Sequence, residues 1–345
     1  MSLIKDASVA VITGTSSNLG INVAYRLLES VPSEENLTIV VTSRTLPKVK
    51  EVIKDIQDYN AKNTQRKGDL EFDYLLVDFT DMVSILSAYY ELTKRYRKIN
   101  YFFVNAAQGV YDGIDWIGAV KQICTNPIEG VTHPTYKLQR VGVKSADGLG
   151  LMFQANVFGP YYLIHRLTPL LKAGHGKVVW ISSVMSNPKY LSFEDLQLLR
   201  SPDPYEGSKR LVDLMHMGTY KRLKAEGITQ YLVQPGIFTS FSFFQFLNVF
   251  TYYGMMMLFY IARWLGSPIH NISGYIAANA PIKCVTETQP QDQKVGSACD
   301  RWGKEYLMVQ DVDATGAEDV AAYLDKLCAQ WDETLKDQIV HSRKH

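Results

Sequence analysis

Apolar runs and amphipathic stretches alternate along the first third of the chain. The run ASVAVITGT at 7–15 is apolar and β-branched and closes on a turn residue, and NLGINVAYRLLES follows with apolar positions at helical spacing. This reads as strand, turn, helix. The pattern recurs: LTIVVTSR (37–44) is strand-like and PKVKEVIKDIQDYN (47–60) helical, then FDYLLVDFT (72–80) strand-like and MVSILSAYYELTKRY (82–96) helical. NYFFVNAA (100–107), KVVWISS (177–183) and ITQYLVQPG (228–236) add further buried strands. Strands alternating with helices predict an α/β fold of Rossmann type, a doubly wound parallel sheet with helices on both faces. The polar stretches NAKNTQRKGDL (60–70) and TETQPQDQKVGSACD (286–300) are expected to be surface loops. Residues 111–148, rich in Gly, Pro and Asn, form a connection long enough to suggest a function of its own. Nothing resembles an interdomain linker, so residues 1–345 are expected to be a single domain with insertions.

Composition narrows the classes. With 345 residues, 46% of them hydrophobic, the chain can bury a sizeable core. Lys and Arg (36) nearly cancel Asp and Glu (35), so no basic field for nucleic acid is present and affinity for phosphate must be local. Cys124, Cys284, Cys299 and Cys328 are widely spaced, with no CxxC pair and no His at metal-ligand intervals. Reduced thiols and no metal site are expected. The apolar run before Gly14 is short for a signal peptide, and secretion is not expected.

Candidate chemistry lies where strands hand over to helices. TGTSSNLG (13–20) occupies such a place, where the amides and positive dipole end of a helix can receive a dinucleotide pyrophosphate. Gly14, Ser16, Ser17, Asn18, Leu19 and Gly20 are the candidate contacts, with Asn18 where a third Gly is usual; Asn tolerates the left-handed conformation that such a turn can need. An ordinary connection between strand and helix is the competing reading. The second strand ends in Ser43 and Arg44 rather than an acid, which favours NADP(H): a guanidinium pairs with a 2′-phosphate that a carboxylate would repel. A plain surface Arg is the alternative. Asp78 can meet an adenine edge or cap the next helix. In YEGSK (205–209), Tyr205 and Lys209 stand four apart on one helix face, so the ammonium can lie beneath the phenol and favour its phenolate. The spacing is common by chance; it gains weight with Ser183 at the end of the WISS strand, where Ser182 is adjacent, and with Asn156 in the preceding helix.

Taken in order, TG-x3-N-x-G at 13–20, Asn105, Asn156, Ser183, Tyr205-x3-Lys209 and QPGIFT (234–239) resemble the short-chain dehydrogenase/reductase superfamily over roughly residues 7–240. That resemblance implies a Ser183 hydroxyl on the substrate carbonyl, a proton from Tyr205, and Lys209 on the nicotinamide ribose. It also implies Asn156 anchoring a water relay, and Pro235, Gly236 and Thr239 lining the nicotinamide. The chain departs from the family pattern at Asn18, at VNAAQ (104–108), and in the 22 positions between Ser183 and Tyr205, which leave 184–204 as an inserted lip. The 111–148 connection, the widened gap and QPGIFTSFSFF resemble the fungal 3-ketosteroid reductases of sterol biosynthesis, and GYIAANAP (274–281) and WDETLKDQIV extend the likeness toward the C-terminus. Reduction of a sterol 3-oxo group with NADPH during C4 demethylation is the expected activity. A different keto lipid (a 17-ketosteroid, retinal, a fatty acyl ketone) and a silent NADP-binding scaffold are the rivals. The same resemblance implies work beside the C4-demethylation enzymes and a contact with oxidosqualene cyclase, on the cytosolic face of the endoplasmic reticulum or lipid droplets; assembly into a homo-oligomer is left open.

From Gly227 to Ala262, 36 consecutive positions lack Asp, Glu, Lys, Arg and His in a chain that is 21% charged. Residues 241–262, FSFFQFLNVFTYYGMMMLFYIA, are long enough for about one bilayer crossing at about 1.5 Å per residue. Three readings compete: a membrane span, an internal core helix, and substrate-side helices whose outer face dips into a membrane interface. The last is preferred. Tyr252, Tyr253, Tyr260, Arg263 and Trp264 suit an interface, and Met255 to Met257 supply adaptable apolar lining.

Overall fold

A computed structural model describes residues 7–239 and 247–338. The strands are β1 Ser8–Ile12, β2 Leu37–Ser43, β3 Leu70–Leu76, β4 Tyr101–Val104, β5 Tyr111–Ile114, β6 Lys137–Gln139, β7 Lys177–Ile181, β8 Thr229–Gln234, β9 Ile237–Phe238, β10 His270–Ile272, β11 Gln293–Cys299 and β12 Glu305–Asp311. Eight of them build one sheet in the order β12-β11-β8-β7-β4-β1-β2-β3, parallel throughout except for the antiparallel β11–β12 pair at one edge. The chain reverses its winding between β1 and β4, and such a switch point opens a crevice beyond the carboxyl ends of the strands.

Burial on both faces explains the near-continuous apolar strands. In β1, Val9 and Val11 join a core with the helices Met82–Arg95, Gly159–Ala173, Pro204–Ala225 and Ala317–Leu335. Ala10 and Ile12 face the opposite core, built with the helices Asn18–Ser30, Leu46–Asn63 and Asn279–Thr286. Each large aliphatic side chain so buried contributes about 1.5–3 kcal/mol. The Ala317–Leu335 helix is also tied by polar contacts: Tyr161 Oη donates to Asp325 at 2.6 Å, and Tyr162 Oη and Arg166 Nη1 donate to Asp332 at 2.7 Å each.

The expected loop at 286–300 is corrected. It contains β11, which pairs with β8 and β12 and is buried over most of its length. Its loop-like composition has a packing reason: a Cβ on Gly296 would stand 2.5 Å from Gln234 Nε2, and Lys294 is buried against a carboxylate rather than facing water. The 111–148 insertion folds as the β5–β6 hairpin with the helices Trp116–Thr125 and Pro127–Thr132. The 184–204 lip packs on the neighbouring helix so closely that a Cβ on Gly207 would lie 2.8 Å from Tyr190 O.

Of residues 241–262, 241–246 lie outside the described residues. The remainder forms the helix Val249–Trp264, opened by a capping box between Asn248 and Thr251. Phe259 and Ala262 are buried, Phe259 beside Val131 and Ile272, while Phe250 is 88% exposed and Tyr253, Met257, Tyr260 and Trp264 also face outward. This corrects the internal-helix reading. Among the described residues no helix is long and apolar enough to cross a membrane.

Candidate active site

The nucleotide-binding turn is held by short polar side chains. Gly14, at φ 63°, takes the left-handed conformation, and a Cβ there would press on Ala106 Cα at 3.0 Å. Ser17 is the N-cap of the Asn18–Ser30 helix, its Oγ accepting from Gly20 N at 3.0 Å. Gly20 is required by close approach, since a Cβ would fall 2.4 Å from Gly14 O. Asn18 departs from expectation: it opens the helix instead of adopting a left-handed turn, and its Nδ2 reaches across to Thr239 O at 2.8 Å and Thr239 Oγ1 at 3.0 Å. Asn105 donates to Thr13 O, Gly14 O and Ser17 Oγ at 2.9–3.1 Å, so it buttresses the turn from β4. Leu19 is buried beneath the turn, and Ser16 is partly exposed.

Arg44 is exposed just after β2 and forms no ion pair among the described residues. Asp78 is not the cap of the following helix, a role taken by Asp81, whose side chain accepts from Val83 N. Asp78 instead accepts from Thr80 N and Oγ1 at 2.9 and 2.7 Å. Past β8, Pro235 O accepts from Asn271 Nδ2 at 2.7 Å, Gly236 stands at φ 71°, and Thr239 N donates to Ile272 O at 3.0 Å. These residues bring the β8 loop to the nucleotide turn. An acid-free helix amino end, a left-handed glycine and an exposed guanidinium at the end of β2 fit a phosphorylated dinucleotide.

The catalytic candidates converge from three elements. Asn156 lies in a π-helical turn, Gln154–Phe158, where it accepts from Gln108 N at 2.7 Å and donates to Gln108 O at 2.9 Å and Ser208 Oγ at 3.0 Å. It therefore ties the loop after β4 to the helix that carries Tyr205. The two neighbouring serines at the end of β7 differ in burial. Ser182 is buried and donates to Asp213 Oδ1, whereas Ser183 is partly exposed and accepts from Met185 N at 3.0 Å. Lys209 is buried, donates to Ile181 O at 2.8 Å and places Nζ 5.8 Å from the centroid of the Tyr205 ring.

Two electrostatic features differ from the sequence reading. The Tyr205 phenol is pushed up, first by burial and then by the adjacent Glu206 carboxylate, so in the free protein Lys209 does not produce a phenolate. Lys209 is itself lowered to about 8, by burial first and by Lys294 further, with Asp213 opposing. Sequence reasoning also missed Gln139, from the insertion. Its Oε1 accepts from Tyr205 N at 3.0 Å and its Nε2 donates to Glu206 Oε2 at 2.6 Å. Lys294, Asp213 and Ser208 were missed as well. Their partners lie on distant elements, and only the spacing of Asp213 four residues after Lys209 carries a local signal.

A doubly wound sheet with Asn, Ser, Tyr and Lys gathered beyond its central strands defines a class of nucleotide-dependent oxidoreductase, and the family model for short chain dehydrogenase matches residues 8–245. The chain belongs to that family. It is 69% identical to a 3-keto-steroid reductase of Debaryomyces hansenii over 99% of this chain and 100% of that protein. The 3-keto-steroid reductase of Saccharomyces cerevisiae is 60% identical over 97% of this chain and 98% of its own. Among solved structures, L-sorbose reductase from Gluconobacter frateurii, complexed with NADPH and L-sorbose, shares the fold at a TM-score of 0.55 and 14% identity, covering 83% of this chain and 92% of its own. YwfH, an NADPH-dependent reductase of bacilysin biosynthesis, does so at 0.56 and 14%, covering 86% and 98%.

Proposed function

We propose that this protein reduces the 3-oxo group of a sterol intermediate to the 3-hydroxyl with NADPH, in the C4-demethylation stage of sterol biosynthesis. The observation that carries this reading is the assembled Asn156, Ser183, Tyr205 and Lys209 set within a chain that matches 3-keto-steroid reductases from end to end. NADPH supplies the hydride when bound. Ser183 donates a hydrogen bond to the substrate oxygen, and Tyr205, a phenol protonated at neutral pH and pushed further up by burial, gives its proton to that oxygen. Two hydroxyls fixed before the reaction stabilise the developing alkoxide, the largest contribution expected of the protein. Lys209 holds the nicotinamide ribose, and its charge eases the Tyr205 proton away. Arg44 receives the 2′-phosphate.

The exposed apolar face of the Val249–Trp264 helix supports a peripheral, monotopic attachment to the cytosolic face of the endoplasmic reticulum or a lipid droplet, from which a nearly insoluble substrate is taken. Purified protein with NADPH, screened against a panel of keto lipids, tests the function. Stoichiometric NADPH oxidation with 3-keto sterols is expected; turnover confined to 17-ketosteroids or retinal would overturn the substrate assignment.

A further inference from the structure

A buried charge pair joins three elements at the catalytic residues, and the reaction described above does not use it. Asp213 lies one turn beyond Lys209, so Tyr205, Lys209 and Asp213 share one helix face. Its carboxylate, 1% exposed, accepts from Ser182 Oγ and, at 2.5 Å, from Lys294 Nζ on β11. Lys294, 7% exposed, also donates to Ser186 Oγ at 2.5 Å. The Ser186 hydroxyl lies 2.7 Å from Asp213 Oδ2 and 3.0 Å from Ser183 O, within reach to donate to either. The stretch 182–186, which carries Ser183, is thus fastened on both sides to one ion pair. An apolar pair of similar volume would serve stability as well or better, whereas a single uncompensated charge would be costly. Stability therefore gives this pair no particular purpose.

We propose that the Asp213–Lys294 pair is a positioning device for catalysis, holding Ser183 in register with Tyr205 and keeping the Lys209 ammonium in a balanced field. This rests on the reductase reading of the site. The geometry carries it: Ser182 and Ser186 flank Ser183, and Lys209 is bonded to Ile181 O on the same strand end. The field supports it. The charged groups acting on Lys209 are Asp213 from its own helix, which raises it, and Lys294 from β11, which lowers it, while Ile181 O is its neutral hydrogen-bond partner.

The test uses the full chain with NADPH and a ketone it reduces, comparing Asp213→Asn, Lys294→Met and the double variant. Asp213→Asn leaves Lys294 and Lys209 without a counter-charge. A fall in kcat of about tenfold or more is expected, with KM for NADPH within about threefold and the alkaline limb of kcat moved to lower pH by about one unit. Lys294→Met should move that limb to higher pH, and the double variant should return it near the parent position while kcat stays low, because the stretch carrying Ser183 is no longer fastened to the ion pair. Shifts of the same sign in both single variants, or none, would overturn the proposal. Hydrogen exchange over 182–186 reads the pair without substrate: faster exchange in Asp213→Asn and in the double variant is expected, and exchange at the parent rate refutes it. Where the charge variants fail to fold, Ser182→Ala with Ser186→Ala keeps both charges. Lowered kcat with an unmoved limb is then expected, and unchanged kcat overturns the proposal. Parent activity on 3-keto sterols tests the reductase reading separately.

Discussion

In the proposed reaction Tyr205 enters as an acid, and its surroundings keep it one. Burial and Glu206 push the phenol up, so the group is protonated across the neutral range. Lys209, lowered to about 8, is charged below that pH and loses its proton as the pH rises through it. Reduction needs both groups protonated, so kcat should be level at lower pH and fall above about 8; a rate still rising toward pH 10 contradicts this. Tyr205→Phe should lower turnover by about 10²- to 10⁴-fold, with NADPH affinity, read by cofactor fluorescence, within about twofold of the parent. Retained turnover removes Tyr205 from the role of acid. Arg44→Ala removes a charge-assisted contact of about 1.5–3 kcal/mol, so the Kd for NADPH should rise about tenfold or more while that for NADH changes little. Equal losses for both cofactors would place the 2′-phosphate elsewhere.

Elements that bury one face or both were legible in the sequence, because periodicity records burial locally. The helix Asn18–Ser30 coincides with the stretch read as helical, and the helix Met82–Arg95 with 82–96 to within a residue. The strand β11 was not, since Lys294 and the run Gly296, Ser297, Ala298 look like a loop until Asp213, 81 positions earlier, and Gln234 are brought beside them. The same limit applied at the site. Tyr205 and Lys209 share a helix and announce each other, but Gln139 lies 66 positions from Tyr205 and reaches it only because the β5–β6 hairpin folds back. Gln139 supplies a partner for a helix-end N–H that has none within the helix. Gln139→Ala should therefore cost about 1–3 kcal/mol in thermal unfolding and lower kcat, with KM for NADPH unchanged. An unchanged Tm and kcat would show that the insertion does not brace the catalytic helix.

Across the whole molecule, apolar surface is concentrated on the insertion and the Val249–Trp264 helix. Phe250, Tyr253, Met257, Tyr260 and Trp264 are exposed on the latter, as are Trp116, Ile117 and Val120 on the Trp116–Thr125 helix, and the Pro127–Thr132 helix packs against both elements. Phe250→Asp with Met257→Lys should abolish recovery with phospholipid vesicles in a detergent-free flotation assay while shifting stability by no more than about 0.5 kcal/mol per site, since both side chains are exposed. Unchanged recovery would refute attachment through this face. The placement of the active site, the apolar surface and the family relationship meet in one chemical claim, transfer of hydride to a sterol carbonyl carbon. Incubation with NADPH deuterated at the transferable position and a 3-keto sterol, followed by mass analysis of the product, tests it most directly. One deuterium at carbon 3 of a 3-hydroxy sterol is predicted; NADPH oxidation without deuterium at that carbon, or no sterol product from folded, NADPH-binding protein, would contradict it.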